Sequence, residues 1–80
     1  MRVYAVAKSD YFFGEDEGQI FTPPEVWAVA ASEELAVKWI EEHVPNVVHG
    51  EAPLERHFWR ENDSGDGLEL IIYDLELLET

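Results

Sequence analysis

Short apolar stretches alternate with polar turns along the chain, and the first two stretches predict a pair of neighbouring β-strands. Residues 2–8, RVYAVAK, and residues 25–31, EVWAVAA, are rich in β-branched, aromatic and small side chains and have similar sequences. We predict that they pair antiparallel. Residues 9–24 contain two glycines and end in two consecutive prolines, which cannot donate hydrogen bonds to a sheet. This segment is therefore predicted to be a long connection or a wide hairpin, partly extended at FF and QIF.

The next segment has the period and the boundary signals of an amphipathic helix. Ser32 offers a side-chain oxygen as the N-cap, and Pro45 ends the helix because its ring and its missing N–H disfavour continuation. The face predicted to pack on the sheet comprises Leu35, Ala36, Trp39, Ile40 and His43. The face predicted to meet water comprises Glu34, Lys38, Glu41 and Glu42.

The last part of the chain predicts two further strands. Residues 54–61, LERHFWRE, predict the third strand, after a loop with a short extended piece at residues 47–48. Residues 62–67, NDSGDG, are a dense turn signal. Residues 68–79, LELIIYDLELLE, predict a central strand, although their later leucines are also compatible with a helix. The order β-β-α-β-β favours an α+β fold in which one helix covers a four-stranded, mostly antiparallel sheet.

Length and composition indicate a single folded domain over residues 1–80. A chain of 80 residues buries only about 60% of its unfolded surface and cannot divide that area between two cores. The apolar share of 46% exceeds that of a disordered acidic chain, and without cysteine the stability must come from packing. The first residues, MRVYAVAKSD, lack the apolar stretch of a signal peptide. We therefore expect a soluble, cytoplasmic protein.

Charge is the strongest functional feature of the sequence. Eighteen acids and five bases give a formal net charge of -13. Such a charge repels nucleic acid and anionic membranes and attracts basic surfaces. The five bases are scattered and form no stripe, which argues against direct nucleic-acid binding and leaves no membrane role. The sequence therefore predicts a basic protein partner, in particular a nucleic-acid-binding effector whose basic groove an acidic surface can occupy.

The candidate contact residues share a negative charge and a predicted exposed position. They are Glu15, Asp16, Glu17, Glu34, Glu41, Glu42, Asp63 and Asp66. The first three follow Gly14 in a loop that aromatic residues flank on both sides. Glu34 and Glu41 lie about 10.5 Å apart along one helix face, loosely like a row of phosphates. Phe12 and Trp59 are predicted to be exposed aromatic anchors, because rim charges alone contribute little affinity.

The residue pattern predicts no catalytic centre, no metal site and no cofactor. Ser32 is explained as a helix cap and Ser64 as a turn residue, and no hydroxyl side chain lies in a G-x-S-x-G motif. His43, His49 and His57 fall at a helix end, in a loop and in a strand, without the spacing of a metal-binding pair. Adjacent helix carboxylates diverge by about 100° and do not share a proton. We therefore predict that the protein is not an enzyme; a small enzyme would require a concave pocket that holds two or more titratable groups with perturbed pKa values.

Three stretches, VYAVAKS, VWAVAASEELAVKWIEEH and LIIYDLELLE, resemble parts of small uncharacterised bacterial and phage β-β-α-β-β domains. In those domains a strand runs directly into an S-x-E-x-A helix and an acidic aromatic strand closes the chain. In size and charge the protein also resembles the acidic anti-CRISPR proteins of phages and mobile elements, some of which mimic DNA against a CRISPR effector complex. This resemblance implies inhibition by occupancy, in the host cytoplasm if a phage encodes the protein. It assigns a role to no individual residue.

The acidity is also compatible with two simpler hypotheses. One is adaptation to a halophilic or generally acidic cytoplasm, since only two lysines are present and the acids are spread over most segments. The second is an ordinary interaction module, for example a homodimeric, antitoxin-like regulator, which would present an uncharged apolar sheet edge or face. The acids at residues 15–17 would then only keep a sticky hairpin soluble. The leading hypothesis is a non-enzymatic acidic inhibitor that occupies the nucleic-acid-binding surface of a partner.

Overall fold

The protein has an α+β fold. Its computed structural model describes residues 1–16, 18–63 and 65–78, which form six strands and one helix. The elements are β1 (Arg2–Gly14), β2 (Gly18–Phe21), β3 (Glu25–Ala30), α1 (Glu33–His43), β4 (Val48–His49), β5 (His57–Glu61) and β6 (Gly67–Glu76). Every strand pairing among these residues is antiparallel. The predicted α+β class is confirmed, but the predicted number of four strands is too small.

The long strand β1 organises the sheet. One of its edges pairs with β6 along residues 2–11, and the other is shared by β3, opposite residues 4–8, and β2, opposite residues 11–14. Between β2 and β3 the Thr22 N–H donates to the Asp10 carbonyl oxygen, and the Asp10 N–H donates to Thr22 Oγ1, both at 2.8 Å. The two prolines follow at this break, where no ladder hydrogen bond is required of them.

Two strand boundaries differ from the prediction. The first strand was expected to end at Lys8 but continues to Gly14, because residues 9–14 find pairing partners in β2 and β6 that their polar composition does not reveal. The wide hairpin, extended at FF and QIF, is thereby confirmed. The strand expected to start at Leu54 starts at His57. The Leu54 N–H donates to the Glu51 carbonyl oxygen, and the His57 N–H donates to the Leu54 carbonyl oxygen, so the residues before His57 form turns.

The remaining sheet predictions are confirmed. The strand order is β2-β1-β6-β5-β4, with β3 beside β1 on the same edge as β2. Strand β6 therefore lies between β1 and β5, as expected of a central strand, and Leu75 belongs to the strand and not to a helix. The extended piece expected near residues 47–48 is the two-residue strand β4 at the far edge.

Helix α1 begins and ends as the sequence predicts. Ser32 Oγ accepts a hydrogen bond from the Leu35 N–H at 3.2 Å, and the Val44 N–H donates to the Ile40 carbonyl oxygen at 2.8 Å before Pro45. The helix covers one face of the sheet and closes a core of Val6, Ala36, Ile40, Val44, Phe58, Leu70 and Ile72. The prediction that Leu35 is buried is wrong, since 53% of this residue is exposed.

The position of the buried stripe explains the exposed Leu35. Ala36, Ile40 and Val44 recur every four residues and point at the sheet, whereas Leu35 lies about 100° away from Ala36 around the helix axis. His43 was also assigned to the packed face and is exposed at the last turn. No helix in the described part of the chain has the length and apolar character needed to span a membrane.

Candidate interaction surfaces

Two acidic hairpin tips lie at the same end of the sheet, which we call the acidic end. Strand β1 runs towards this end and turns at Glu15 and Asp16, both exposed. The connection between β5 and β6 begins level with Tyr11 of β1 and carries the exposed Asp63 and the half-buried Asp66. Ser64, which was predicted to be a turn residue, lies outside the described residues. The fold thus brings together two groups of acids that are about 50 residues apart in sequence. Glu17, which was predicted to join them, lies outside the described residues.

Aromatic side chains form the base of the acidic end. The Tyr11 and Phe21 rings pack with their centroids 5.8 Å apart, and the Phe13 ring lies against Gly65 of the other hairpin. Tyr11 is buried, and a Cβ atom on Gly67 would lie 2.6 Å from its hydroxyl oxygen, so Gly67 gives the ring its space. Burial raises the pKa of the Tyr11 hydroxyl, and the nearby carboxylates of residues 61 and 69 raise this pKa further.

The structure distinguishes between the two predicted aromatic anchors. Phe12 is 40% exposed, as expected. Trp59 is half-buried and is therefore not the exposed anchor that was predicted. It lies inside β5, between Val48 of β4 and Glu69 of β6. Phe13 and Phe21, which were not among the predicted contact residues, are 57% and 47% exposed and lie beside the acidic tips. Their place in FF and QIF was the available signal, but only the hairpin pairing shows that both reach the same end.

The helix acids form a second acidic surface, on α1. Glu34, Glu41 and Glu42 are all exposed. Glu34 and Glu41 border a shallow groove of about 590 Å³ together with Lys38 and Glu55. No sequence signal pointed to Glu55, which the turns before β5 place against the helix. Because α1 follows β3 at the opposite end of the sheet and lies over one face, its first turn and the hairpin tips point to different parts of the surface.

Arg56 joins the helix to the sheet. Its Nε lies 2.6 Å from Glu33 Oε1 at the first turn of α1, and its Nη1 lies 3.2 Å from Asp74 Oδ1 on β6. Arg2 approaches the other oxygen of Asp74 at 2.9 Å and also Glu76 at 3.6 Å. The hydrogen bond from Arg56 lowers the pKa of Asp74, and the charges of Arg56 and Arg2 lower it further. These cations therefore neutralise acids of the fold and not those of the acidic end.

A row of side-chain contacts runs from Lys8 on β1 through Trp27 on β3 to Trp39 and His43 on α1. Its Nζ lies 2.8 Å from Asp10 Oδ2 and 4.9 Å from the centroid of the Trp27 ring. Trp27 meets Trp39 edge-on at 6.4 Å, and Trp39 stacks on His43 at 4.4 Å. A register shift between β1 and β3 next to Trp27 is typical of a β-bulge, which re-aims a side chain. This row gives His43 a structural role.

The histidines are not brought together. His49 meets the edge of Phe58 at 4.9 Å, His57 lies in β5, and His43 hydrogen-bonds through Nδ1 to the Trp39 carbonyl oxygen at 2.9 Å. Within residues 1–16, 18–63 and 65–78, no group of three or more histidine or acidic side chains is placed to hold a metal ion.

The face of the sheet opposite α1 is uncovered and apolar. Ala5 and Ala7 form the floor of a groove of about 260 Å³, which we call the apolar groove. Its walls are Pro24 and Val26 on one side and Tyr73 and Leu75 on the other. The strand register explains this arrangement, because Tyr73 lies opposite Ala5 and Val26 lies opposite Ala7. The described residues that line the groove carry no charge.

Comparison with protein-family models, with curated proteins and with solved structures found no match to this chain.

Proposed function

We propose that the protein is a non-enzymatic acidic inhibitor that binds, with its acidic end, the basic nucleic-acid-binding surface of a partner protein. The observation that supports this proposal is the convergence of two hairpins from distant parts of the chain. They present Glu15, Asp16 and Asp63 beside the exposed rings of Phe13 and Phe21. In this proposal the protein acts as an anti-CRISPR-like nucleic-acid mimic in the cytoplasm.

The two kinds of side chain have different tasks in this function. Carboxylates at the end of a molecule of net charge -13 steer a basic partner to that end and accelerate association. Exposed ion pairs contribute only about 0–1 kcal/mol each, so the aromatic rings supply most of the contact energy. The hairpin pairing holds the rings in place, which limits the entropy lost on binding. The helix acids Glu34, Glu41 and Glu42 form a second, separately testable surface.

A pull-down with charge-reversed variants tests the proposal. The tagged protein is incubated with a lysate of its own host at low and high salt, and bound proteins are identified by mass spectrometry. We expect one nucleic-acid-binding complex at low salt, displaced by added DNA or RNA. The double variant Glu15→Lys, Asp16→Lys should lose this complex. The Phe13→Ala variant should bind it at least about tenfold more weakly.

A matched control separates the site from the net charge. The double variant Glu25→Lys, Glu51→Lys changes the net charge by the same amount at two exposed positions away from the hairpin tips. It should retain the complex. Equal loss with both double variants would show that only the overall charge matters, and unchanged capture by the acidic-end variant would refute the proposal. A third pair, Glu34→Lys with Glu41→Lys, reports on the helix surface.

A second candidate function is a homodimeric regulatory module whose acidity is an adaptation to its solvent. The uncharged apolar groove favours it, because such a module needs an apolar face. The two functions differ in their response to salt. If the acids serve only the solvent, the fold should gain stability in molar salt and the pull-down should recover no specific complex.

A further inference from the structure

The apolar groove belongs to an exposed surface that extends over strands β1, β3 and β6. Val26 is 61% exposed and Val29, which lies opposite Ala5, is 62% exposed on β3. On β6, Tyr73 and Leu75 are 46% and 50% exposed. Isolated exposed apolar residues are ordinary, whereas several that gather around one groove form the kind of apolar patch that interaction sites use.

The architecture gives the same conclusion. A sheet with apolar residues on both faces needs a covering layer on each face. Helix α1 covers the face that carries Val6 and Ile72, and none of the described residues covers the face that carries Ala5 and Tyr73. The groove has small residues on its floor and larger ones on its walls. Side chains of another sheet can pack between these walls and interdigitate with them.

Charge decides which molecule fits this surface. A basic partner would find no carboxylate among the residues that line the groove and would be drawn to the acidic surfaces instead. Two copies of a protein of net charge -13 repel each other, so their association is opposed least where charged groups are absent from the contact. The groove offers such a contact. We propose that a second copy of the chain covers the apolar groove, face to face, in a symmetric homodimer.

The same repulsion favours one orientation of the two copies. A face-to-face dimer has its two-fold axis in the plane of the interface, and each copy contributes the same patch. If this axis runs across the strands, the acidic ends of the two copies point in opposite directions. If it runs along the strands, both acidic ends lie side by side. The first arrangement keeps the acids apart, with the two sheets about 10 Å from each other. It is the one we propose, and it is independent of what the acidic end binds.

Sedimentation equilibrium of two matched lysine variants tests the dimer. In Val26→Lys a charge enters the groove at a position that is 61% exposed in the single chain, so the fold should persist. In the control, Leu35→Lys, the same charge enters at a position that is 53% exposed on the helix side. Both variants lower the net negative charge equally. Circular dichroism and thermal unfolding confirm that each variant is folded.

We expect the wild type and Leu35→Lys to reach twice the 9.2 kDa mass of one chain as the concentration rises from micromolar to millimolar. The dissociation constant of Val26→Lys should be higher by a factor of roughly 100, because the lysine would be buried without a partner. A wild type that remains at 9.2 kDa over the whole range would overturn the proposal. Equal association of both variants would also overturn it. The dimer can fail while the pull-down succeeds, since the two experiments address different surfaces.

Discussion

Two neighbouring residues on β6 show how differently the two faces of the sheet are used. Ile72 lies under α1 and is 2% exposed, whereas Tyr73, the next residue, points to the other face and is 46% exposed. Alternation along a strand sends successive side chains to opposite faces. Both faces of β1 and β6 carry apolar side chains here, yet the described chain contains only one helix to cover them. The fold therefore leaves apolar side chains of one sheet face exposed.

The charges follow the same division. The ion pairs of Arg56 and Arg2 lie at the margin of the covered face and join α1 to β6. The uncovered face is free of charge at its apolar groove, and towards the hairpin tips the carboxylates of Glu61 and Glu69 lie near Tyr11. The covered face therefore holds the fold together. The uncovered face carries the apolar groove and, further along the strands, leads to the acidic end.

A truncation on the covered face should be the most damaging change. Ile72→Ala should lower the free energy of unfolding by about 2–5 kcal/mol, because it leaves a cavity in a core that α1 closes. Urea denaturation of dilute protein measures this change. A loss below about 1 kcal/mol would show that the helix does not pack on this face as described.

Loss of the helix cap should have an intermediate effect. Ser32→Ala removes the acceptor of the Leu35 N–H and should destabilise the protein by about 1 kcal/mol. Ser32→Asp, which also caps a helix, should restore most of this stability. Thermal unfolding of the three proteins measures both differences, and an unaltered midpoint for Ser32→Ala would contradict the assigned cap.

On the uncovered face the same kind of truncation should cost little in a single chain. Tyr73→Ala should change the free energy of unfolding by no more than about 1 kcal/mol in dilute protein, because the side chain is already half exposed. At high concentration the loss should grow, since the wild type then gains stability from its partner copy. Urea denaturation at two protein concentrations checks both statements. A concentration-independent loss as large as that of Ile72→Ala would remove the difference between the two faces.

The ion pair between Asp74 and Arg56 at the margin of the covered face should make stability depend on pH. This effect should be the weakest of those considered. The pKa of Asp74 is lowered in the folded protein, so its ionised form contributes stability above the ordinary Asp pKa of 3.8. This contribution is lost as the pH falls through the lowered pKa. In Arg56→Gln the hydrogen bond that lowers this pKa is absent. The stability difference between wild type and Arg56→Gln should therefore be present at neutral pH and shrink in acid, which denaturation at several pH values would show.

The helix could be predicted from the sequence because its signals are local. Ser32 and Pro45 mark its boundaries within one or two residues, and the apolar period identifies Ala36 and Ile40. Leu35 was assigned to the wrong face because the apolar period alone does not fix which residues of the helix lie closest to the sheet. That depends on how the helix packs on the sheet.

The sheet and the candidate surfaces depend on non-local pairing and were predicted less completely. The composition of residues 9–14 is that of a loop, but pairing with β2 and β6 makes them part of a strand. The composition of residues 54–56 is that of a strand, but their hydrogen bonds form turns. The charge of the candidate site was evident from the sequence. The meeting of the two hairpin tips and the uncovered groove were not, because both depend on strand order and on which face the helix covers.

Association of two copies through an uncharged groove, separate from the acidic end, should respond to salt in a characteristic way. Sedimentation equilibrium from about 0.01 M to about 1 M sodium chloride, over which the Debye length falls from about 30 Å to about 3 Å, measures this response. We expect the wild-type dimer to become tighter as salt screens the repulsion between two chains of charge -13, while the dissociation constant of Val26→Lys stays well above that of the wild type at each salt concentration. A wild type that dissociates as salt rises, or that stays monomeric at every concentration of salt, would contradict association through the groove.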